Sequence, residues 1–141
     1  MAFESQEQMQ EFAAERGLGA LADKMGITLT EVSVERLCGS MPVAGNTQPL
    51  GLLHGGANVV LAESLGSIAA NLYAAPAGFA VGLEINATHL KSATEGSVHG
   101  VATPVKLGGT VAVYEIEIRD DAGELTCVSR LTCVIRQRRQ A

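Results

Sequence analysis

Residues 55–72, GGANVVLAESLGSIAANL, decide the fold class of this 141-residue chain. Nothing after Gly56 breaks a helix, and a helix of this length would span about 27 Å. Small residues recur on all of its sides, so neighbouring strands can approach it closely. Glu63 is its one charged residue. The segment therefore predicts a long central helix that is buried rather than half-exposed.

The chain downstream of this helix alternates with a period of two, which is typical of strands. The predicted strands are residues 79–90, 97–106, 110–119 and 125–136. The apolar side chains expected on one face of the first strand are Phe79, Val81, Leu83 and Ile85. In the third strand, the residues expected to face inward are Tyr114, Ile116 and Ile118. In the fourth strand, those expected on one face are Leu125, Cys127, Leu131, Cys133 and Ile135, with the two cysteines as small core residues. Residues 121–124 form a hairpin turn between the last two strands.

Upstream of the central helix, the pattern predicts two short helices and one extended segment. These are residues 4–15, 18–25 and 27–43, followed by a loop. The order of strand, long helix and four-stranded meander predicts an α+β fold, with one antiparallel sheet wrapped around one helix. The whole chain, 1–141, is expected to be a single domain with a helical lead-in (1–26) and a short tail (137–141).

Composition excludes several classes of protein. A net charge of −5 and scattered aromatic residues argue against nucleic-acid binding. No apolar run is long enough to cross a bilayer, and the polar N-terminus lacks the layout of a signal peptide. Three cysteines without CxxC spacing fit neither a disulfide framework nor a zinc site. We therefore expect a cytoplasmic protein with no membrane or nucleic-acid partner, no metal and no cofactor.

Charge is uneven along the chain. Residues 1–90 hold nine acids against three bases, whereas residues 91–141 hold six acids against seven bases. An anionic ligand is therefore expected to bind the second half. The candidate cations are Lys91, Lys106, Arg136, Arg138 and Arg139, and the alternative for the last two is a solvated tail.

Two features of residues 48–67 could carry chemistry. Glu63 lies in an otherwise uncharged helix, with Ser67 one turn further on, and is either part of an exposed polar stripe or retained for function. His54 precedes Gly55 and Gly56 at the helix start, where free N–H groups can polarise a carbonyl. Gln48 could add another donor. These residues alone leave both interpretations open.

Other catalytic patterns are missing from the sequence. The three histidines lack metal-ligand spacing such as HExxH, and Ser64 and Ser67 do not lie in a GxSxG motif. Gly108-Gly109 has no phosphate-loop context, and a junction between two strands explains it more simply.

The motifs taken together resemble those of the hotdog-fold acyl-CoA thioesterases. The matching stretches, within residues 21–136, are Gln48-Pro49, LHGGA (53–57), AESLGS (62–67), VGLEINA (81–87), HLKS (89–92) and Glu95-Gly96. The similar branch contains the phenylacetate-pathway, 4-hydroxybenzoyl-CoA, enterobactin-proofreading and 1,4-dihydroxy-2-naphthoyl-CoA thioesterases.

This resemblance implies a mechanism. The thioester carbonyl would be polarised by the Gly55 N–H with help from Gln48, and His54 would orient the thioester. Glu63 would act as nucleophile or as general base for water. In this family Glu63 and Ser67 come from the opposite subunit to His54 and Gly55. The resemblance thus implies a homodimer with shared active sites, and further pairing into a homotetramer.

The resemblance also implies where the substrate binds, with coenzyme A entering as part of the substrate rather than as a cofactor. The expected binding residues are Ser64, Ser67, Gly82, His89, Leu90, Lys91, Ser92, Lys106, Leu107, Gly108, Gly109 and Thr110. An aromatic, hydroxylated acyl group is the first choice, in particular 1,4-dihydroxy-2-naphthoyl-CoA in menaquinone biosynthesis. Phenylacetyl, hydroxybenzoyl or fatty acyl-CoA are the alternatives.

Two other functions belong to the same fold. A non-catalytic acyl-CoA-binding module is disfavoured by the presence of Glu63. A hydratase or dehydratase would need an Asp and His pair in its own motif, and residues 46–67 contain no Asp.

Overall fold

The computed structural model describes residues 3–139 and confirms the α+β architecture. Its elements are α1 (Gln6–Arg16), α2 (Ala20–Met25), β1 (Thr28–Glu31), β2 (Leu37–Pro42), α3 (Gly55–Ala74), β3 (Gly78–His89), β4 (Ser97–Leu107), β5 (Val111–Asp120) and β6 (Leu125–Gln137). Six antiparallel strands form one sheet that packs against α3. No helix among residues 3–139 is both long and apolar enough to cross a membrane.

Two short capped helices precede the first strand, and β6 is the last element of the described residues. The Ser5 side chain caps α1 by accepting a hydrogen bond from the Gln8 N–H, and α2 ends at Gly26 in the left-handed conformation. Both helices fall within the predicted lead-in. The predicted tail begins at Gln137, which is still the last residue of β6, and its residues 140 and 141 lie outside the described part.

The strand order is β1-β2-β4-β5-β6-β3, which corrects the predicted connectivity in two places. The extended segment 27–43 is a hairpin of two strands rather than one strand. β4, β5 and β6 form a meander, but β3 pairs with β6 and not with β4. The reason is that β4 has only two sides, and β2 and β5 occupy them.

Glycines in the sheet let α3 approach it closely. Gly39 and Gly100 are partners on adjacent strands, and a Cβ at these positions would lie 2.7 Å and 2.6 Å from the methyl groups of Leu65. Gly66 of α3 gives Leu131 the same room, since a Cβ there would lie 2.8 Å from a Leu131 methyl. One face of α3 is therefore fully buried, whereas the face carrying Glu63 is only half-buried, so the prediction of a buried helix holds for one face of a single chain.

Asn71 ties the C-terminal half of α3 to β3. Its side-chain amide accepts from the Ala80 N–H at 3.0 Å and donates to the Ala80 carbonyl at 3.0 Å. It also donates to the Ser67 carbonyl one turn earlier. Asn71 is only 3% exposed, so it does not belong to a polar stripe facing solvent beside Glu63. Its amide is a structural cross-link between helix and sheet.

A β-bulge between Gly82 and Glu84 changes which side chains of β3 face the core. Before the bulge Ala80 is buried, while Phe79 and Val81 are exposed. After it Ile85 packs against the core. The prediction that Phe79, Val81, Leu83 and Ile85 share one face is therefore wrong, because the extra residue reverses the alternation.

Alternation in β5 and β6 is as predicted. Tyr114, Ile116 and Ile118 are fully buried against α3. Cys127 and Cys133 are also fully buried, as expected for small core residues on one strand face. The inner face of the sheet is thus continuous from β5 to β6, and the predicted turn at 121–124 connects them.

Candidate active site

The N-terminus of α3 offers one uncommitted donor. The His54 Nδ1 atom accepts a hydrogen bond of 2.8 Å from the Gly56 N–H and so caps the helix. A neutral His54 ring therefore carries its proton on Nε2. The Gly55 N–H has no acceptor among residues 3–139. This end of the helix can thus polarise a carbonyl oxygen through Gly55.

A cavity of about 350 Å³ lies at this helix end. The predicted site residues that line it are Gln48, Gly55, His89, Leu90, Lys91 and Ser92. The Gln48 side-chain oxygen accepts from the Leu50 N–H, which leaves the amide N–H₂ group of Gln48 as a donor. The structure therefore brings the predicted carbonyl-polarising residues together with the segment 89–92.

Glu63 lies further along α3 in a second cavity of about 250 Å³, which Ser64 and Ser67 also line. Its carboxylate stands against Gly82 of β3, where a Cβ would lie 2.5 Å from Glu63 Oε1. No hydrogen bond reaches this carboxylate from within residues 3–139. Burial, and secondly the charge of Glu63, raise the pKa of the Cys133 thiol to about 11, so this thiol is not a candidate nucleophile.

One chain does not bring Glu63 together with Gly55. Eight helical residues separate them, which corresponds to about 12 Å along the axis and a rotation of about 80°. The two residues accordingly line different cavities. A reaction that uses both therefore needs either a large substrate or a second chain.

Lys91 is already paired within the chain. Its ammonium group donates to Asp120 Oδ2 at 3.0 Å and to the Glu124 carboxylate. These hydrogen bonds, first the one to Glu124 and then the one to Asp120, raise the pKa of Lys91. The Leu90 and Lys91 N–H groups both donate to the Thr126 carbonyl. Lys91 therefore helps to fix the segment 89–92 on the β5–β6 hairpin.

The other predicted binding segment, residues 106–110, lies at the opposite end of α3. It forms the β4–β5 hairpin, and the Tyr73 hydroxyl near the end of α3 donates to the Gly108 carbonyl at 3.1 Å. α3 is 20 residues long, so this hairpin is about 30 Å from Gly55 along the helix. Lys106 is exposed and forms no ion pair with any of residues 3–139. Within one chain, segments 89–92 and 106–110 do not share a groove.

Several residues that line the two cavities are not among the predicted site residues. Arg16, Gly17 and Leu18, between α1 and α2, line the cavity of Glu63. Nothing in their local pattern marks them, because the lead-in reaches Glu63 only through tertiary packing. Asn58 lines the cavity at Gly55 and is 5% exposed. The sequence does indicate Asn58, because it lies three residues after Gly55 and therefore on the same face of the helix.

Comparison with known proteins identifies the family. A family model described as thioesterase superfamily matches residues 50–127, which include every residue that lines the cavity at Gly55 except Gln48. The chain belongs to the thioesterase superfamily. This confirms the family and the hotdog fold that the HGGA, AES and GLEINA motifs predict, and with them an enzyme that hydrolyses thioesters.

Relatives with assigned activities show which thioesterases this chain is similar to. The chain is 48% identical over 120 residues to the 1,4-dihydroxy-2-naphthoyl-CoA hydrolase of Escherichia coli, covering 84% of this chain and 88% of that protein. It is 41% identical over 119 residues to the proofreading thioesterase EntH of Cronobacter sakazakii, covering 84% and 87%. The crystal structure of thioesterase HI1161 from Haemophilus influenzae has a TM-score of 0.83 at 34% identity, covering 96% and 92% of the two chains.

The contact between Glu63 and Gly82 generates a first prediction. In Gly82→Ala the new methyl group would lie 2.5 Å from Glu63 Oε1, and every other neighbour is at least 3.6 Å away. Gly82 has no positive φ, so the backbone accepts alanine. We expect thioester hydrolysis to fall about tenfold or more, because about 1 Å of misplacement is costly in catalysis. Thermal unfolding should change little, and native turnover in this variant would contradict the placement of Glu63.

Proposed function

We propose that this thioesterase hydrolyses an acyl-CoA with a hydroxylated aromatic acyl group, with 1,4-dihydroxy-2-naphthoyl-CoA as the first candidate. The observation that carries the proposal is Glu63, a half-buried carboxylate without a hydrogen-bond donor among residues 3–139, at the wall of a cavity. Burying such a group is unfavourable unless it serves a function. The 48% identity to a hydrolase of that substrate supports the choice of acyl group.

The proposed reaction uses two groups of the site, the N–H donors at Gly55 and Gln48 and the carboxylate of Glu63. The Gly55 N–H and the Gln48 amide stabilise negative charge on the thioester oxygen as the tetrahedral intermediate forms. In one route a Glu63 oxygen attacks the carbonyl carbon, coenzyme A leaves as the thiol after gaining a proton, and water hydrolyses the resulting anhydride. In the other route Glu63 takes a proton from water, which attacks directly. Both give the free acid and coenzyme A.

We infer that the active site is shared between two copies of the chain. β3 is at the edge of the sheet and has β6 as its neighbour on one side only. It is a long edge strand, and Phe79, Val81 and Leu83 on it are 37%, 48% and 66% exposed. Such an edge is a template for pairing with another strand. A second copy would cover it and bring its own Glu63 towards Gly55.

Two-fold symmetry fixes the geometry of that pairing. If Gly55 of one α3 faces Glu63 of the other, the helices run antiparallel and the axis passes midway between these residues, near Val59. Val59 and Val60 are half-buried in one chain, on the helix face that turns away from the sheet. Both side chains are apolar, so a second copy packed on this face would bury them further.

The same arrangement places a cationic segment near the coenzyme A end of the site. The C-terminal end of the partner's α3, with its 106–110 hairpin, would extend past Gly55 towards the segment 89–92. Lys106 of that hairpin is exposed and free to contact a phosphate, whereas Lys91 is held by Asp120 and Glu124. We propose that Lys106 of one subunit and Leu90–Ser92 of the other bind the coenzyme A moiety.

Two such dimers can pair through the outer face of the sheet. The half-buried apolar side chains on that face are Val111, Val113, Val128 and Val134. A homotetramer would bury them further.

The central prediction concerns Glu63→Gln. Released thiol is measured with dihydroxynaphthoyl, hydroxybenzoyl, phenylacetyl and fatty acyl-CoA esters. The native enzyme should act fastest on a hydroxyaryl ester, and the variant should lose most turnover, by a factor of about 10³ or more, because amide nitrogen is neither nucleophile nor base. Glu7→Gln, which changes an exposed acid of α1 that lines neither cavity, is the matched control and should retain native rates.

Any of three results would contradict the proposal. Native turnover by Glu63→Gln would remove the carboxylate from the mechanism. Fastest hydrolysis of a fatty acyl ester would leave a thioesterase with a different acyl specificity. Binding of coenzyme A esters without hydrolysis of any of them would favour a non-catalytic binding module.

Shared sites predict complementation between inactive subunits. Glu63→Ala and Gly55→Pro variants, the latter lacking the helix N–H, should each be inactive alone. When unfolded and refolded together, half of the dimers are mixed, and each mixed dimer holds one intact site. We expect recovery of about a quarter of native activity. If each chain contained a whole site, mixing would recover none.

The coenzyme A contact predicts a specific defect in Lys106→Glu. Reversal of this charge should raise KM for the coenzyme A ester by roughly three- to tenfold. The substitution removes an attraction and adds a repulsion, so its effect corresponds to about twice the free energy of an exposed ion pair. The pantetheine ester of the same acid carries no nucleotide, so its KM should not change. Equal effects on the two esters would exclude a phosphate contact at Lys106.

A further inference from the structure

Asn58 is a buried amide whose hydrogen bonding is incomplete. It is 5% exposed and lies in the first turn of α3, in the cavity that Gly55 also lines. Its Oδ1 atom is fully buried and has no partner among residues 3–139. Leaving such an oxygen unpaired costs free energy, and an apolar side chain of similar shape would avoid this cost. Asn58 therefore calls for a functional explanation.

The one side-chain partner of Asn58 within residues 3–139 is His89. The Asn58 amide nitrogen lies 3.5 Å from His89 Nδ1, at the end of β3. With the amide nitrogen directed at the ring, Nδ1 is the acceptor, and a neutral His89 then carries its proton on Nε2. The amide therefore selects one tautomer of the ring.

The other ring nitrogen stands beside Gly55. A Cβ on Gly55 would lie 2.9 Å from His89 Nε2, so the ring occupies the space that a side chain at this position would need. The Nε2–H and the Gly55 N–H thus line the same cavity. Two N–H donors there can serve one carbonyl oxygen, as in an oxyanion hole.

We propose that Asn58 is a positioning residue that holds His89 in the Nε2–H tautomer, with this donor directed at the substrate carbonyl beside Gly55. His89 then contributes to carbonyl binding rather than to phosphate binding. This inference rests on the proposed thioesterase site, but it has a readout that does not depend on turnover.

The first test measures the tautomer of His89. The chain has three histidines, so the ¹⁵N resonances of His89 in the full-length protein can be assigned by substituting His54 and His99 in turn. We expect His89 to carry its proton on Nε2, and Asn58→Ala to convert it into a mixture of tautomers. A proton on Nδ1 in the native protein would overturn the proposal.

The second test is a double-mutant cycle on kcat for the preferred ester. His89→Ala should lower kcat by about a hundredfold, the usual effect of losing one oxyanion donor. Asn58→Ala should lower kcat by a smaller factor. In the His89→Ala background the same Asn58 substitution should have no further effect, because its role passes through His89. Multiplicative effects would show that Asn58 acts independently and would overturn the proposal.

Controls separate this inference from folding and from the proposed function. Asn58→Ser removes the amide with less loss of volume and polarity, and it should reproduce the kcat defect if Asn58→Ala folds poorly. Gln10→Ala changes an exposed amide side chain of α1 that lines neither cavity, and it should retain native kinetics. Loss of activity in Glu63→Gln together with a multiplicative Asn58–His89 cycle would retain the thioesterase and reject only the positioning role.

Discussion

The close contact between α3 and the sheet is the constraint on which the rest of the structure depends. Leu65 fits into a gap made by Gly39 and Gly100, which face each other on neighbouring strands. Protein interiors tolerate little extra volume, so this gap fixes the height of the helix above the sheet. With the height set, Asn71 fixes the alignment of α3 along β3 through its two hydrogen bonds to Ala80. The positions of Gly55 and Glu63 relative to the strands follow.

That fixed alignment also keeps Gly55 and Glu63 apart within one chain. A rigid helix cannot bring its first residue to its ninth, and neither cavity contains both groups. The chain leaves β3 at the sheet edge with apolar side chains exposed, which is unfavourable for an isolated molecule. Pairing of two copies of the chain about a two-fold axis would both bring Glu63 of one copy to Gly55 of the other and cover the exposed edge at β3.

The local sequence pattern predicted the helices and strands whose residues follow a single periodicity. It did not predict the features that depend on contacts between distant parts of the chain. α3 and the inward residues of β5 and β6 follow from their spacing, and residues 48, 55 and 89–92 meet in one cavity as their motifs indicate. The prediction of which β3 residues face inward was wrong, because one bulged residue reverses the alternation. The prediction of a four-stranded meander was wrong, because β2 pairs with the edge of β4 with which β3 would have to pair. The ion pairs of Lys91 depend on a hairpin some thirty residues away.

Hydrogen bonding divides the polar groups of α3 into two kinds. The His54 Nδ1 atom and the Asn71 amide are fully committed to the fold, one capping the helix and the other joining it to β3. The Gly55 N–H, the Asn58 oxygen and the Glu63 carboxylate have no hydrogen-bond partner among residues 3–139. Folding alone would favour apolar groups at the last two positions. The Gly55 N–H and the Glu63 carboxylate line cavities, where substrate and water can supply the missing partners, and the proposed thioester chemistry depends on both groups.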